Sequence, residues 1–370
     1  MTTPATALRL LTLLATGPAV LAAQENLYSR AAVIGGVETR SYSYGDKLNV
    51  GKVTQVVIPI GLVAPFGKRF SFDLGTSYAS TTYTPPSGSG SSFSHITDTQ
   101  IRGSYIFGND VLVASVMVNL PTGAETTSLQ YFSVGASAAS NFLLFPVNSY
   151  GTGFSVTPGM AVAATAGDWN LGLAGSVRMS SKYEPFSGNQ SQYKPGVEGR
   201  IRAGIDRLVG SSRASLGFTF STFGQDELSG TSGLSTYDPG NRLLIDAAVV
   251  SPVGNGTINT YLWNYHRSNS GGSAGRANQE NIFAGGATGS FPIGRTLALE
   301  PLLEVRLWNP DPAAGQGSLF GAGAAFRIAL GNSMTLVPGG RFDFGELRNS
   351  DDVSDSITGW GLTALLRYGF

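Results

Sequence analysis

From about residue 30 onward the chain repeats one pattern. Stretches of roughly 10 to 15 residues alternate apolar side chains with small or polar ones, and Gly, Asn, Asp and Pro turns separate them. Successive side chains of a strand point to opposite faces, so each stretch carries one apolar and one polar face. The last stretch is the clearest. Trp360, Leu362, Ala364, Leu366, Tyr368 and Phe370 share one face, and Gly359, Gly361, Thr363 and Arg367 share the other. Upstream, Leu297, Leu299, Leu303, Val305 and Leu307 oppose Glu300, Glu304 and Arg306. Val197, Ile201, Ala203 and Ile205 oppose Glu198, Arg200, Arg202 and Asp206, and Leu243, Ile245, Ala247 and Val249 oppose Arg242 and Asp246.

A soluble sandwich would turn the apolar faces inward, whereas a membrane barrel turns them to lipid and lines its lumen with the polar faces. The final strand favours the barrel. Trp360 and Tyr368 lie eight residues apart. At about 3.3 Å per residue and a tilt near 40° that is roughly 20 Å, about the separation of two aromatic girdles. The chain then ends on the aromatic Phe370, an ending that resembles the signal by which outer-membrane proteins are recognised for assembly. The pattern predicts an all-β, transmembrane, antiparallel up-and-down barrel.

Counting back from Phe370 gives eight hairpins, over 30–44 with 48–63, 68–83 with 95–107, 110–120 with 152–166, 168–182 with 194–208, 211–224 with 240–252, 255–268 with 278–291, 295–308 with 316–330 and 332–346 with 357–370. That makes 16 strands, with 14 as the alternative count. Short turns such as Ala166-Gly167-Asp168 and Gly331-Asn332 belong on the periplasmic side, and longer loops such as 84–94, 183–193 and 225–239 on the outer side. Residues 1–23 read as a cleaved signal peptide: Arg9, an apolar run from Leu10 to Leu21, then Ala22 and Ala23. Residues 24–370 are then one barrel, located in a bacterial outer membrane.

Composition narrows the chemistry. Charged residues are 13% of the chain, against roughly 25% in soluble domains. The absence of Cys excludes disulfide scaffolds, thiolate catalysis and Cys-ligated zinc. Lys plus Arg and Asp plus Glu both total 24, so no net field draws nucleic acid. No cofactor is expected and no metal cluster stands out; Asp351, Asp352 and Asp355 read as a solvated loop rather than a Ca²⁺ site.

The run Asn119-Leu120-Pro121-Thr122-Gly123, with Pro158-Gly159 and Gly167-Asp168-Trp169-Asn170-Leu171-Gly172, resembles the outer-membrane family of the meta-pathway of phenol degradation, relatives of the fatty-acid and hydrocarbon transporters. The resemblance covers about residues 50–370 in layout and rests on short turn motifs. It implies diffusion of small hydrophobic or aromatic compounds across the outer membrane, without the N-terminal hatch of the hydrocarbon transporters.

Three sets of residues carry functional expectations. The loop at about 121–151 holds Leu129, Tyr131, Phe132, Val134 and the run Phe142-Leu143-Leu144-Phe145-Pro146, too apolar for water, and a short helix is expected over Ser133 to Asn141. It folds inward as a constriction with a greasy surface, or it packs on the wall, seals the pore or contacts lipopolysaccharide. Next, Arg102, Arg178, Glu198, Arg200, Arg202, Asp206, Asp246, Glu300, Glu304, Arg306, Arg327, Arg341 and Asp343 fall on predicted lumen faces. They form a transverse field or selectivity ring, or they brace the wall as Arg–carboxylate ladders. Last, Asn264, His266 and Ser268 share a face, and His266-Arg267-Ser268-Asn269 is similar to the His-x-Ser-Asn run of outer-membrane phospholipase A, in which Ser is the nucleophile. The similarity ends at Ser270, where that family has Gly.

The expectation is therefore a passive outer-membrane channel and not an enzyme. The alternatives are an occluded structural or adhesive surface barrel, or a lipid hydrolase. Its partners would be outer-membrane lipid and lipopolysaccharide, the barrel-assembly machinery through the C-terminal strand, and a small-molecule solute; nucleic acid is not among them, and the oligomeric state is open.

Overall fold

The computed structural model describes residues 31–48, 50–108, 111–128, 131–187, 191–230, 233–273, 275–277, 279–310, 315–349 and 351–370. The leader expected at 1–23, Leu129 and the turn residues Asn109-Asp110 lie outside them.

Sixteen strands run antiparallel to their neighbours around a closed wall. They are β1 Ala32–Tyr44, β2 Lys52–Phe66, β3 Phe70–Thr84, β4 in two pieces Ser91–Ile96 and Thr99–Phe107, β5 Leu112–Leu120, β6 Ser155–Ala166, β7 Trp169–Ser180 and β8 Glu198–Val209. Then come β9 Ser212–Phe223, β10 Arg242–Val253, β11 Gly256–Arg267, β12 Glu280–Ile293, β13 Leu297–Trp308, β14 Gln316–Leu330, β15 Met334–Arg348 and β16 Ser354–Gly369. Each strand pairs with the next in sequence, and β1 closes the cylinder on β16 from Ala32↔Gly369 to Tyr44↔Ile357. Closure leaves no strand edge open, so main-chain groups of the wall find partners in neighbouring strands.

The count of 16 and the hairpin order follow the sequence pattern. Short turns join strand pairs at one end, and glycine closes them at positive φ, 61° at Gly167 and 77° at Gly331. Two features differ from expectation. β4 begins at Ser91 and is interrupted at Thr97-Asp98, where both pieces still pair with β3. The outer loops also hold strands of their own. Asp226–Gly230 pairs with Gly233–Tyr237 and with Gln192–Lys194, and Ser270–Gly272 pairs with Gly275–Ala277. These segments are rich in Gly, Ser and Tyr and lack apolar alternation, so their pairing leaves no periodic signal.

The register assigns the faces. Trp360, Leu362, Leu366 and Tyr368 point outward and are exposed, as are Phe342, Phe320, Leu303, Ile201 and Met160, so the outer surface is apolar around the cylinder. No helix among the described residues is long and apolar enough to cross a membrane; the strands are the elements of membrane-crossing length here. The buried apolar cluster lies inside the cylinder, where Phe142, Leu143 and Phe145 of the long loop meet Tyr42, Val53, Ile282, Leu319 and Ile357 of the wall.

Candidate functional site: a loop folded onto a charged lumen wall

The loop between β5 and β6 is fixed at its base by one carboxylate. Asp98, at the interruption of β4, accepts hydrogen bonds from Asn119 Nδ2 at 2.8 Å, Gly123 N at 3.0 Å and Thr152 N at 2.7 Å. The second hydrogen of the Asn119 amide goes to the carbonyl of Gly153 at 2.8 Å, so departing and returning strands are tied together. Thr122 Oγ1 accepts from Thr99 N at 2.8 Å, and a Cβ at Gly123 would lie 2.0 Å from the Tyr150 carbonyl. Asn119, Thr122 and Gly123 of the short motif thus each have a physical task in the loop base. Asp98 was not legible beforehand, because its strand was expected to run unbroken. Nearby, burial first and the Asp98 charge second push the Glu125 carboxyl above its ordinary range.

From that base the loop turns inward. Helix α1, Phe132–Ala138, buries Val134 and Ala138 against β2, β3 and the outer piece of β4. Gln55 on β2 then clasps the main chain of Val147, donating to its carbonyl at 2.7 Å and accepting from its N–H at 2.9 Å, while its amide also reaches Thr81 Oγ1 at 2.9 Å. Tyr150 donates to Thr81 Oγ1 at 2.7 Å and meets Phe93 edge-to-face at 4.8 Å between centroids. Farther in, Phe142 stacks on Trp308 of β13 at 6.0 Å and Asn141 donates to Glu280 of β12 at 2.8 Å. β13 stands eight places from β5 in a wall of sixteen, so the loop reaches the opposite side of the cylinder.

What receives it there is a cluster of charges. Glu304 accepts from Arg306 at 2.6 Å, from Arg341 at 3.0 Å and from the Tyr261 hydroxyl at 2.8 Å. Arg341 also holds Asp343 at 2.6 Å. Arg40 adds a third guanidinium within electrostatic reach of Asp343, and donors of this cluster turn to loop carbonyls. Arg306 donates to Phe142 O, Arg40 to Leu143 O at 3.3 Å and to Leu144 O, and the Tyr42 hydroxyl to Leu143 O at 3.2 Å. Inward glycines leave the room: a Cβ at Gly321 would lie 2.3 Å from Arg341 Nη2, and one at Gly359 would lie 2.4 Å from the Tyr42 ring.

The thirteen expected charges all occupy inward register positions but separate into two groups. Glu304, Arg306, Arg341 and Asp343 lie beneath the loop, with the Arg306 side chain 1% exposed. Of the others, Glu198 and Arg202 are buried in the wall and the remaining seven are partly exposed. Arg102 pairs with Asp73 at 2.6 Å, Arg200 with Glu198 at 2.6 Å, Arg202 with Asp246 at 3.1 Å, Asp206 with Arg213 at 2.7 Å, and Arg327 with Glu300. Among the described residues, Arg178 hydrogen-bonds hydroxyls, Ser155 Oγ at 3.2 Å and Thr152 Oγ1 at 3.1 Å.

The expected loop residues divide similarly. Phe142, Leu143 and Phe145 are buried on the wall. Leu144 is exposed at φ 52°, Phe132 is exposed against Phe186, and Tyr131 is half-buried against Phe93. Arg40, Tyr42, Gln55, Tyr261 and Glu280 complete the site and were not singled out from sequence, although each sits on the polar face of its strand.

Among the described residues no hydrogen bond joins His266 to Ser268. The Ser268 hydroxyl accepts from Asn241 N at 2.9 Å, and Asn264 donates to Asn281 at 2.8 Å, while the register turns Asn264 and His266 to the outside. Asp355 caps main-chain N–H groups of Lys47 and Leu48, and the described residues contain no group of metal-ligating side chains.

No family model matches the chain, and no curated protein does. Solved structures with a similar course include OmpT of Vibrio cholerae, at 9% identity and a TM-score of 0.44 over 92% of this chain and 97% of that one. Others are the outer membrane channel DcaP of Acinetobacter baumannii, at 13% identity and 0.43 over 92% and 98%, and an anion-selective porin from Comamonas acidovorans, at 13% and 0.42 over 92% and 98%.

Proposed function

We propose that the chain is an outer-membrane barrel through which small molecules, hydrophobic or aromatic ones among them, diffuse passively past the loop between β5 and β6. The observation that carries this reading is the division of the lumen. One wall is covered by the loop through its own charge cluster, and on the wall of β8 the Arg200 side chain stays 40% exposed while Glu198 and Arg202 beside it are buried. A cylinder whose outside is apolar belongs in lipid, where Trp360, Tyr368 and Phe370 serve as girdle and assembly residues facing membrane lipid, lipopolysaccharide and the insertion machinery.

The test is ion conductance of the refolded chain in a planar bilayer, before and after deletion of residues 126–148. Steady conductance of the intact barrel, enlarged by the deletion, is the expected result. A second reading, an occluded surface barrel, draws on the burial of Phe142, Leu143 and Phe145. It predicts a silent intact chain and a conducting deletion. Silence from both folded proteins overturns the channel.

A further inference from the structure

The route that the loop leaves free is charged on one side only. Residues 126–149, the stretch that turns into the cylinder, contain no Asp, Glu, Lys or Arg. Among the described residues, the wall side chains packed in the loop's apolar clusters come from neither β7, β8, β9 nor β10.

That uncovered face carries a row of the sheet rich in arginine. Across hydrogen-bonded neighbours, Arg200 on β8 lies opposite Ser221, Ser221 opposite Arg242 on β10, Arg242 opposite Arg267 on β11, and Arg267 opposite Glu280 on β12. Glu280 accepts from Asn141 of the loop, so the row faces inward. Arg178 on β7 adjoins the row, opposite Glu198.

Four guanidiniums thus meet two carboxylates. Arg200 pairs with Glu198 at 2.6 Å, and Arg267 stands 3.9 Å from Glu280. Arg178 has hydroxyl partners, and Arg242, exposed, lies over the Phe223 ring at 4.6 Å. Neither forms an ion pair among the described residues, and hydroxyls and a phenyl ring carry no net charge, so both cations keep theirs. Farther along the same strands the inward charges balance, Arg202 against Asp246 and Arg213 against Asp206.

We propose that this arginine arc makes the route between the loop and the wall of β7 to β11 select small anions over cations of equal size. The proposal rests on the channel reading and names the charge of its solutes. An excess of one sign along a narrow, low-dielectric cleft concentrates ions of the opposite sign. Selection of this kind needs the field alone, so the bonds that tie Arg178 and Arg200 to the wall do not oppose it. Because Arg242 is exposed, salt weakens the effect: the Debye length falls from about 10 Å at about 0.1 M to about 3 Å at about 1 M.

The test is the reversal potential of the refolded full chain in a planar bilayer under a potassium chloride gradient. A chloride-to-potassium permeability ratio of about 3 or more is expected in dilute salt, declining toward one in molar salt. Arg178→Gln/Arg242→Gln is expected to bring the ratio near one, and Arg178→Glu/Arg242→Glu to invert it. Arg207→Gln removes the same charge from the outer face, where Arg207 lies opposite Trp169, and is expected to leave the ratio unchanged. A heat-dependent gel shift verifies that each variant is folded. A parent ratio at or below one, an unchanged ratio in both folded double variants, or an equal loss in Arg207→Gln overturns the arc. Deletion of residues 126–148 removes no charge, so it reads the same arc where the intact barrel is silent. Conduction without anion preference sinks the arc alone. A silent intact barrel with an anion-selective deletion variant sinks the open channel and keeps the arc, and silence from both folded proteins sinks both.

Discussion

Arg306 on β13 donates a hydrogen bond to the main-chain carbonyl of Phe142, in a loop that leaves the wall half a circumference away. The side chain is inside the cylinder, 1% exposed, and its other donors are spent on Glu304. The loop is thus held by its backbone, and the identity of the apolar side chains beside that bond affects the fit more than the anchorage.

Arg306→Met removes that anchor and leaves Glu304 to Arg341 and Tyr261. Breaking one side of a buried pair costs about 3–5 kcal/mol, so the urea midpoint for unfolding from lipid vesicles is expected to fall. Conductance is expected to rise as the loop tip loosens. An unchanged midpoint would show that the cluster carries no strain-free burden of the fold.

Gln55→Leu tests the clasp on Val147. It keeps the volume roughly constant but leaves the N–H and carbonyl of Val147 without partners, in a site where Gln55 is fully buried. Each orphaned group costs about 1–3 kcal/mol. Hydrogen exchange at the Val147 amide is expected to accelerate by two orders of magnitude or more, while exchange in β14 to β16 stays as it was.

Asp98→Ala frees both ends of the loop at once, because Asn119, Gly123 and Thr152 share that carboxylate. Limited proteolysis is expected to cut between residues 121 and 151 in the variant and to spare the parent chain. Asp98→Asn, which keeps acceptor capacity on one oxygen, is expected to fall between the two.

Gly359→Ala places a methyl against the Tyr42 ring, at a backbone position with no room to yield. Overpacking of this kind costs about 1–3 kcal/mol. The temperature at which the barrel loses its compact gel mobility is expected to drop, and Tyr42→Leu in the same chain is expected to restore part of it.

The wall was legible in the sequence because period-two alternation is a local signal, and a strand facing lipid on one side cannot hide it. Leu297 to Trp308 shows every contrast needed to assign faces. The inward charges were legible for the same reason, but their division into covered and open groups was not. That depends on where a loop carried by β5 comes to rest, and nothing near Glu304 or Arg341 in sequence refers to Phe142. The interruption at Thr97-Asp98 was missed because Ser and Thr residues on both sides continue the strand pattern. The apolar run Phe142 to Phe145 announced a dry environment, and the structure supplies one for three of its four residues.

The seam between β1 and β16 has a consequence for how such a chain comes into being. Ala32 lies against Gly369 and Tyr44 against Ile357, so β1 finds its second neighbour only when β16 is in place. Until then both rims of the growing sheet are adhesive, and the nascent protein needs an escort that occupies them. A chain deprived of β16 would keep two sticky borders, and proteolysis rather than insertion is the fate expected for it.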